Sequence, residues 1–280
     1  MSDLYTDLFG TVRSIAELYD GQVVASDIYS GIFAEYYDML PAPRDEIESY
    51  TREAFLCGRK VLELCCGNGR LTTEFAKQGF FIDGVDMSGD MLALLERRKA
   101  DLPAAAARRI HTARADLFAL EETACYDFAF LPATTICLFA KNADAAIRLL
   151  NKVSRLLRPG GRFMFDLRLY PSGNDCRMTE PHVNPIFMNG NRTLVIFQEQ
   201  LDFIDRIAVG NFYLQMTMPD GTVRHHVAAT RKNMVTEKEM DGYIAGSDLR
   251  LKQKIPAEIW GSSVLYYLLE KPDETQDTGD

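Results

Sequence analysis

Two glycines, two acids and a pair of histidines in this sequence have types and spacings that could do chemistry. The run Val61-Leu62-Glu63-Leu64-Cys65-Cys66-Gly67-Asn68-Gly69-Arg70-Leu71-Thr72 is an apolar stretch that breaks at two glycines and then turns helical. Physically it reads as a buried parallel strand, a tight turn and the start of a helix running to about Lys77. Without side chains, Gly67 and Gly69 let the backbone approach a ligand, and the helix start offers unpaired N–H groups beside it. Phe80 to Asp86 reads as a second strand ending on an acid. Met87-Ser88-Gly89-Asp90-Met91 then opens a helix with Ser88 as its cap. A carboxylate at such a strand tip is placed to accept a pair of ligand hydroxyls. Far along the chain, His225 and His226 carry imidazoles that titrate near neutrality and are candidate general bases. Adjacent strand residues face opposite ways, so at least one of the two points elsewhere.

Glycine turns of this kind also hold dinucleotides, but that fingerprint wants a third small residue three positions after the second glycine. Thr72 stands there instead, which disfavours a dehydrogenase. The stretch resembles motif I of the class I S-adenosylmethionine-dependent methyltransferases, with Glu63 as the acid ahead of the turn. In that family the turn cradles the methionine and ribose part of the cofactor, and Asp86 would take the ribose hydroxyls. Ala113-Arg114-Ala115-Asp116-Leu117 resembles the family's adenine-binding motif, in which the acid takes the exocyclic amine and the next residue gives a backbone N–H. The resemblance thus implies S-adenosyl-L-methionine, with S-adenosyl-L-homocysteine as product, held by Glu63, Cys65, Gly67, Gly69, Arg70, Asp86, Met87, Met91, Asp116, Leu117 and Leu131. Ala34-Glu35-Tyr36-Tyr37-Asp38 is similar to the Tyr-Asp element that folds over the cofactor in many small-molecule methyltransferases. Tyr37 fits that element best, and Tyr29 lies two turns earlier on the same helical face. Thr134, Thr135 and Arg168 are the implied acceptor-binding residues.

Composition narrows the partners. The chain has 280 residues, 47% hydrophobic and 25% charged, which is ordinary for a globular protein. Its net charge of −9 repels polyphosphates, so a small-molecule substrate is expected and a nucleic acid is not. No run approaches the ~18 apolar residues of a membrane span. The N-terminus lacks a basic flank with a long apolar segment, so the expected location is the cytoplasm, with no membrane partner. Six cysteines, at 57, 65, 66, 125, 137 and 176, lack the paired spacing of a zinc site, and the four histidines do not compensate, so no metal is expected. A homodimer is compatible with these properties.

The elements that must position these residues follow from periodicity. Residues 1–45 are rich in aromatics, with apolar positions at helical spacing between Ser26 and Met39, and are expected to form a helical N-terminal cap. From Asp45 to about Asp166 strand and helix patterns alternate, the signature of a doubly wound, mostly parallel, Rossmann-like sheet. The core is expected over 46–169 and 233–271. Residues 170–232 break the alternation: an Asn189-Gly190 turn and a Pro219-Asp220-Gly221 turn separate runs that read as antiparallel strands. They are expected to form a β lid inserted after the fifth strand, over the ligand edge of the sheet. Thr236 and Glu239 make a capping box, two strands at about 249–255 and 263–270 close the sheet, and 272–280 form an acidic disordered tail.

This arrangement resembles small-molecule N-methyltransferases of antibiotic and sugar-amine biosynthesis. Arg224-His225-His226 followed by Arg231 is similar to the histidine-containing lid strand of sugar-amine dimethyltransferases. Thr135-Ile136-Cys137-Leu138 departs from them, because those enzymes often carry a histidine after the fourth strand. Leu131-Pro132-Ala133-Thr134 lacks the Asn/Asp-Pro-Pro-Tyr/Phe element of enzymes that methylate nucleobase and glutamine amino groups. The expected activity is methyl transfer to nitrogen of a small metabolite in secondary metabolism, with oxygen as the alternative acceptor. A catalytically inactive cofactor-binding scaffold is the reading from another class.

Overall fold

The computed structural model describes residues 6–40, 43–121, 123–259 and 261–273. Along the chain come α1 (Gly10–Leu18), β1 (Val23–Ala25), α2 (Gly31–Asp38), α3 (Arg44–Phe55), β2 (Lys60–Leu64), α4 (Thr72–Lys77), β3 (Phe81–Asp86), α5 (Gly89–Ala100), α6 (Ala104–Ala107) and β4 (Ile110–Arg114). They are followed by β5 (Tyr126–Leu131), α7 (Ile136–Phe139), α8 (Ala143–Leu156), β6 (Leu157–Arg168), β7 (Cys176–Met178), β8 (His182–Met188), β9 (Asn191–Asp202), β10 (Ile207–Thr217) and β11 (Val223–Asn233). The chain closes with α9 (Glu237–Ala245), β12 (Arg250–Ile259) and β13 (Ser262–Glu270). It divides into two compact units, one of residues 1–40 with 171–234 and the other of residues 41–170 with 235–280.

The second unit is the expected Rossmann-like α/β core. Its sheet runs β12-β13-β6-β5-β2-β3-β4, with β4, β3, β2, β5 and β6 parallel and β13 antiparallel to β6. Both faces of the sheet are covered, which is why β2 and β5 read as nearly continuous apolar runs. On one face Leu62, Leu64, Leu131 and Phe165 pack with Leu149, Leu150 and Val153 of α8 and with Met240 and Ile244 of α9. On the other, Val61, Phe128 and Phe130 pack with Tyr50 and Ala54 of α3, Phe75 of α4 and Leu95 of α5. Each fully buried side chain of this size contributes about 1.5–3 kcal/mol. The helix starts follow the sequence signals: Ser88 Oγ accepts the Met91 N–H at 3.2 Å, and Thr236 and Glu239 form the capping box of α9.

The first unit is a second sheet, ordered β1-β11-β10-β9-β7, with β8 also paired to β9. Asn189 and Gly190, with φ of 50° and 78°, turn β8 into β9, as the Asn-Gly signal predicts. One face packs Val12 and Ala16 of α1 against Ile196, Tyr213 and Val227, and the other packs Phe33 of α2 against Val195, Leu214 and Ala228.

Two findings differ from the expected organisation. The aromatic N-terminal segment is not purely helical: β1 pairs in parallel with β11 (Val23↔His225, Ala25↔Val227) and so joins the sheet formed by strands of 171–234. An open strand edge gains main-chain partners that way. The helix expected from Ser26 begins only at Gly31, because Asp27 Oδ1 accepts the Tyr29 N–H at 2.7 Å and Asp27 O accepts the Ser30 N–H, making a turn that competes with helix. Residues 274–280 of the expected tail lie outside the described residues.

Candidate active site

The turn between β2 and α4 needs left-handed backbone at Cys65 (φ 55°), Gly67 (φ 54°) and Gly69 (φ 73°). A Cβ at Gly69 would lie 2.4 Å from Cγ of Leu95, and one at Gly67 would lie 3.0 Å from Cε of Met91. The glycines therefore serve both torsion and space. Asp86, at the tip of β3, accepts the Gly67 N–H on Oδ2 and the Ser88 N–H on Oδ1, each at 2.8 Å. This half-buried acid ties the glycine turn to the start of α5. Burial raises its carboxyl above the ordinary value, and the backbone N–H donors work against that rise.

Beneath the turn lies a set of buried polar groups. Thr72, which stands where a dinucleotide site wants a small residue, donates its hydroxyl to Oε2 of Glu63. Glu63 is 1% exposed, and burial pushes its carboxyl up to about 8 against the opposing pull of that hydrogen bond and of Arg70. Arg70 makes a two-pronged ion pair with Glu46 of α3, Nη2 to Oε1 at 2.8 Å and Nη1 to Oε2. Cys65 is a half-buried thiol pushed up to about 12, first by burial and then by nearby acids, which is a packing residue's chemistry.

The loop after β5 has consecutive left-handed residues, Ala133 (φ 62°) and Thr134 (φ 55°), an arrangement that costs free energy in residues with a Cβ. It is held by Asp166, which is fully buried at the end of β6. Asp166 Oδ2 accepts the Thr134 N–H and Oδ1 accepts the Tyr50 hydroxyl, each at 2.6 Å. The Thr134 and Thr135 hydroxyls donate to the Ala133 and Pro132 carbonyls, so both side chains brace the loop. The Arg168 guanidinium lies 4.7 Å from the centre of the Tyr170 ring.

Along the C-terminal ends of β2 to β6 the structure brings together Glu63, Cys65, Gly67, Gly69, Arg70, Asp86, Met87, Met91, Asp116, Leu117, Leu131, Thr134, Thr135 and Arg168. Met87 is exposed, and Met91 is buried beneath Gly67. Asp116 is exposed and accepts the Phe118 N–H at 2.9 Å, while Leu117 and Leu131 are buried. Glu46, Tyr50 and Asp166 are the residues that sequence reasoning missed. Asp166 carried a signal, an acid ending an apolar strand as Asp86 does. Glu46 and Tyr50 carried none beyond lying one helical turn apart.

Tyr29, Tyr37, His225 and His226 belong to the other unit. The rings of Tyr29 and Tyr37 meet edge-on with centroids 6.0 Å apart. The structure separates the two histidines onto opposite faces of β11. His225 is stacked on Tyr19 at 4.0 Å, and its Nδ1 shares a hydrogen bond of 2.6 Å with the Tyr213 hydroxyl. Nδ1 of His226 is buried and has no hydrogen-bond partner among the described residues. Burial lowers both imidazole pKa values, and Arg224 and His225 lower that of His226 further, which keeps it neutral near pH 7.

This arrangement fits a ligand with adjacent hydroxyls. A carboxylate offers about four acceptor sites, more than the backbone donors at Asp86 use. Among the described residues no group of three or more His, Cys, Asp or Glu side chains is arranged to hold a metal ion, and no helix is long and apolar enough to cross a membrane.

Comparison with known proteins concerns the domain and the fold. Residues 61–161 match the family described as Methyltransferase domain. YqeM of Bacillus subtilis (strain 168) is 28% identical over 149 residues, 50% of this chain and 55% of YqeM. The chain thus spans about half the length of that curated relative. The CcbJ methyltransferase from Streptomyces caelestis shares the fold with a TM-score of 0.67 at 21% identity, covering 88% of this chain and 98% of CcbJ. CalS10, an amino pentose methyltransferase from Micromonospora echinaspora involved in calicheamicin biosynthesis and solved with S-adenosylmethionine bound, gives a TM-score of 0.65 at 17% identity, covering 88% and 99%. At such identities the likeness concerns the fold, which is the Rossmann-like fold of methyltransferases.

Proposed function

We propose, from the premise that residues 61–161 are a methyltransferase domain, that this protein transfers a methyl group from S-adenosyl-L-methionine to a nitrogen of a small metabolite. The observation that carries the reading is the Asp86 carboxylate, tied to the Gly67 and Ser88 N–H groups beside a left-handed glycine turn. When bound, S-adenosyl-L-methionine supplies an electrophilic methyl on a sulfonium. Asp86 takes the ribose hydroxyls, Asp116 and the Leu117 N–H take the adenine, and the turn from Cys65 to Gly69 lies against the rest. Thr134, Thr135 and Arg168 are the acceptor-side residues.

Nitrogen is favoured because an unprotonated amine is already nucleophilic. The protein then has only to align it, an effect worth about 7–11 kcal/mol. The net charge of −9 and the likeness to an amino pentose methyltransferase support a neutral or cationic small acceptor. One observation favours a second reading: a neutral His226 with a buried Nδ1 lacking a described partner could take the proton of a hydroxyl acceptor.

Calorimetric titration with S-adenosyl-L-methionine, followed by methyl transfer to panels of amino sugars, peptide amines and phenols, tests both. Asp86→Ala should weaken cofactor binding by at least about 2 kcal/mol, since two hydroxyls lose a charged acceptor. Unchanged affinity would overturn the cofactor assignment, and binding without turnover would favour a scaffold. With an amine, the rate should rise with pH through the acceptor's own pKa, and His226→Ala should cost less than ~10-fold. A loss of ~10²-fold with an imidazole-shaped profile would move the acceptor to oxygen.

A further inference from the structure

We infer that Glu46 is a positioning residue for the amino-acid end of the cofactor, acting through Arg70. The inference rests on the cofactor reading above. The strand order β2-β3-β4 gives the direction of the ligand: the adenine residue Asp116 follows β4, the ribose acid Asp86 ends β3, and the remaining end runs toward β2 and its turn. The residue leaving that turn, directly after Gly69, is Arg70.

The Arg70 side chain is 7% exposed and that of Glu46 is fully buried. Stripping water from two charges is costly, and apolar replacements of a buried ion pair are often neutral or stabilising, so stability alone gives little reason for this one. What a two-pronged carboxylate does is fix the plane of a guanidinium. Glu46 supplies that clamp from α3, 24 residues upstream. Glu63 lies within electrostatic reach of both Arg70 and Glu46. A guanidinium held at the turn suits the α-carboxylate of that amino-acid end. Glu46 does not touch the ligand, and its part is to hold Arg70 where the carboxylate arrives.

Two ligands separate this role from a general structural one. S-adenosyl-L-homocysteine carries the amino-acid end, and 5′-methylthioadenosine has the same adenosine without it. By calorimetry, Glu46→Gln should weaken S-adenosyl-L-homocysteine at least about tenfold, the loss of one charge-assisted hydrogen bond, and leave 5′-methylthioadenosine unchanged. Because Glu46→Gln leaves Arg70 buried without its counter-charge, the double variant Glu46→Leu with Arg70→Met provides a well-packed alternative. It should show the same selective loss. Equal weakening of both ligands, or no weakening of either, in the folded variant overturns the inference while the cofactor reading stands. A wild-type protein that binds neither ligand overturns both.

Discussion

Glu63 holds its proton at neutral pH, since burial pushes its carboxyl up to about 8, whereas in the unfolded chain it ionises near 4.5. Between those values the folded state binds more protons than the unfolded one, so stability falls as pH rises. Glu63→Gln should therefore flatten the decline in ligand-free stability between about pH 5 and pH 8, checked by denaturant unfolding across that range. An unchanged slope would place the titration elsewhere. Glu63, Gly67, Gly69 and Asp86 were legible because strand, turn and helix follow one another within one continuous stretch. Glu46 and Tyr50 were not, because their partners Arg70 and Asp166 lie 24 and 116 residues away. The histidine pair was legible only as a pair. Alternation along β11 says that the two part company, and it took Tyr19 and Tyr213 to show that His225 is the one engaged.

The β2-turn-α4 element has little room for substitution. At Gly69 a methyl group would meet Cγ of the buried Leu95 at 2.4 Å on a backbone with φ of 73°. Overpacking and torsional strain together put the cost of Gly69→Ala at about 2–4 kcal/mol. The melting temperature and S-adenosyl-L-homocysteine affinity should fall together, and a variant with both at wild-type values would show that the turn is slack. Elements with strong local signals were readable in advance: the Asn189-Gly190 hairpin, the capping box of α9 and the alternation of the core. The sequence pattern overextended α2 because Ile28 and Tyr29 continue the helical periodicity, while Asp27 diverts the backbone ahead of them.

The molecule divides by contact rather than by chain order. Among the described residues, those up to 40 fold with 171–234, and those of 43–170 fold with those of 235–273. Pairing between β1 and β11 could not be read from three residues, Val23 to Ala25, whose partners lie at 225–227. Val24→Pro, placed opposite His226 in that pairing, removes a main-chain donor and should speed hydrogen exchange along β11. Binding of S-adenosyl-L-homocysteine should survive, because Asp86 and the glycine turn belong to the other unit. Lost binding with unchanged exchange would contradict that division. The interleaving also governs the order of events during synthesis. β1 is synthesised long before its partner β11, and the apolar residues Leu8, Val12 and Ala16 must wait for Tyr213 and Val227. Until then this sticky segment is exposed, so the nascent chain, more than the finished protein, is where a chaperone has something to hold.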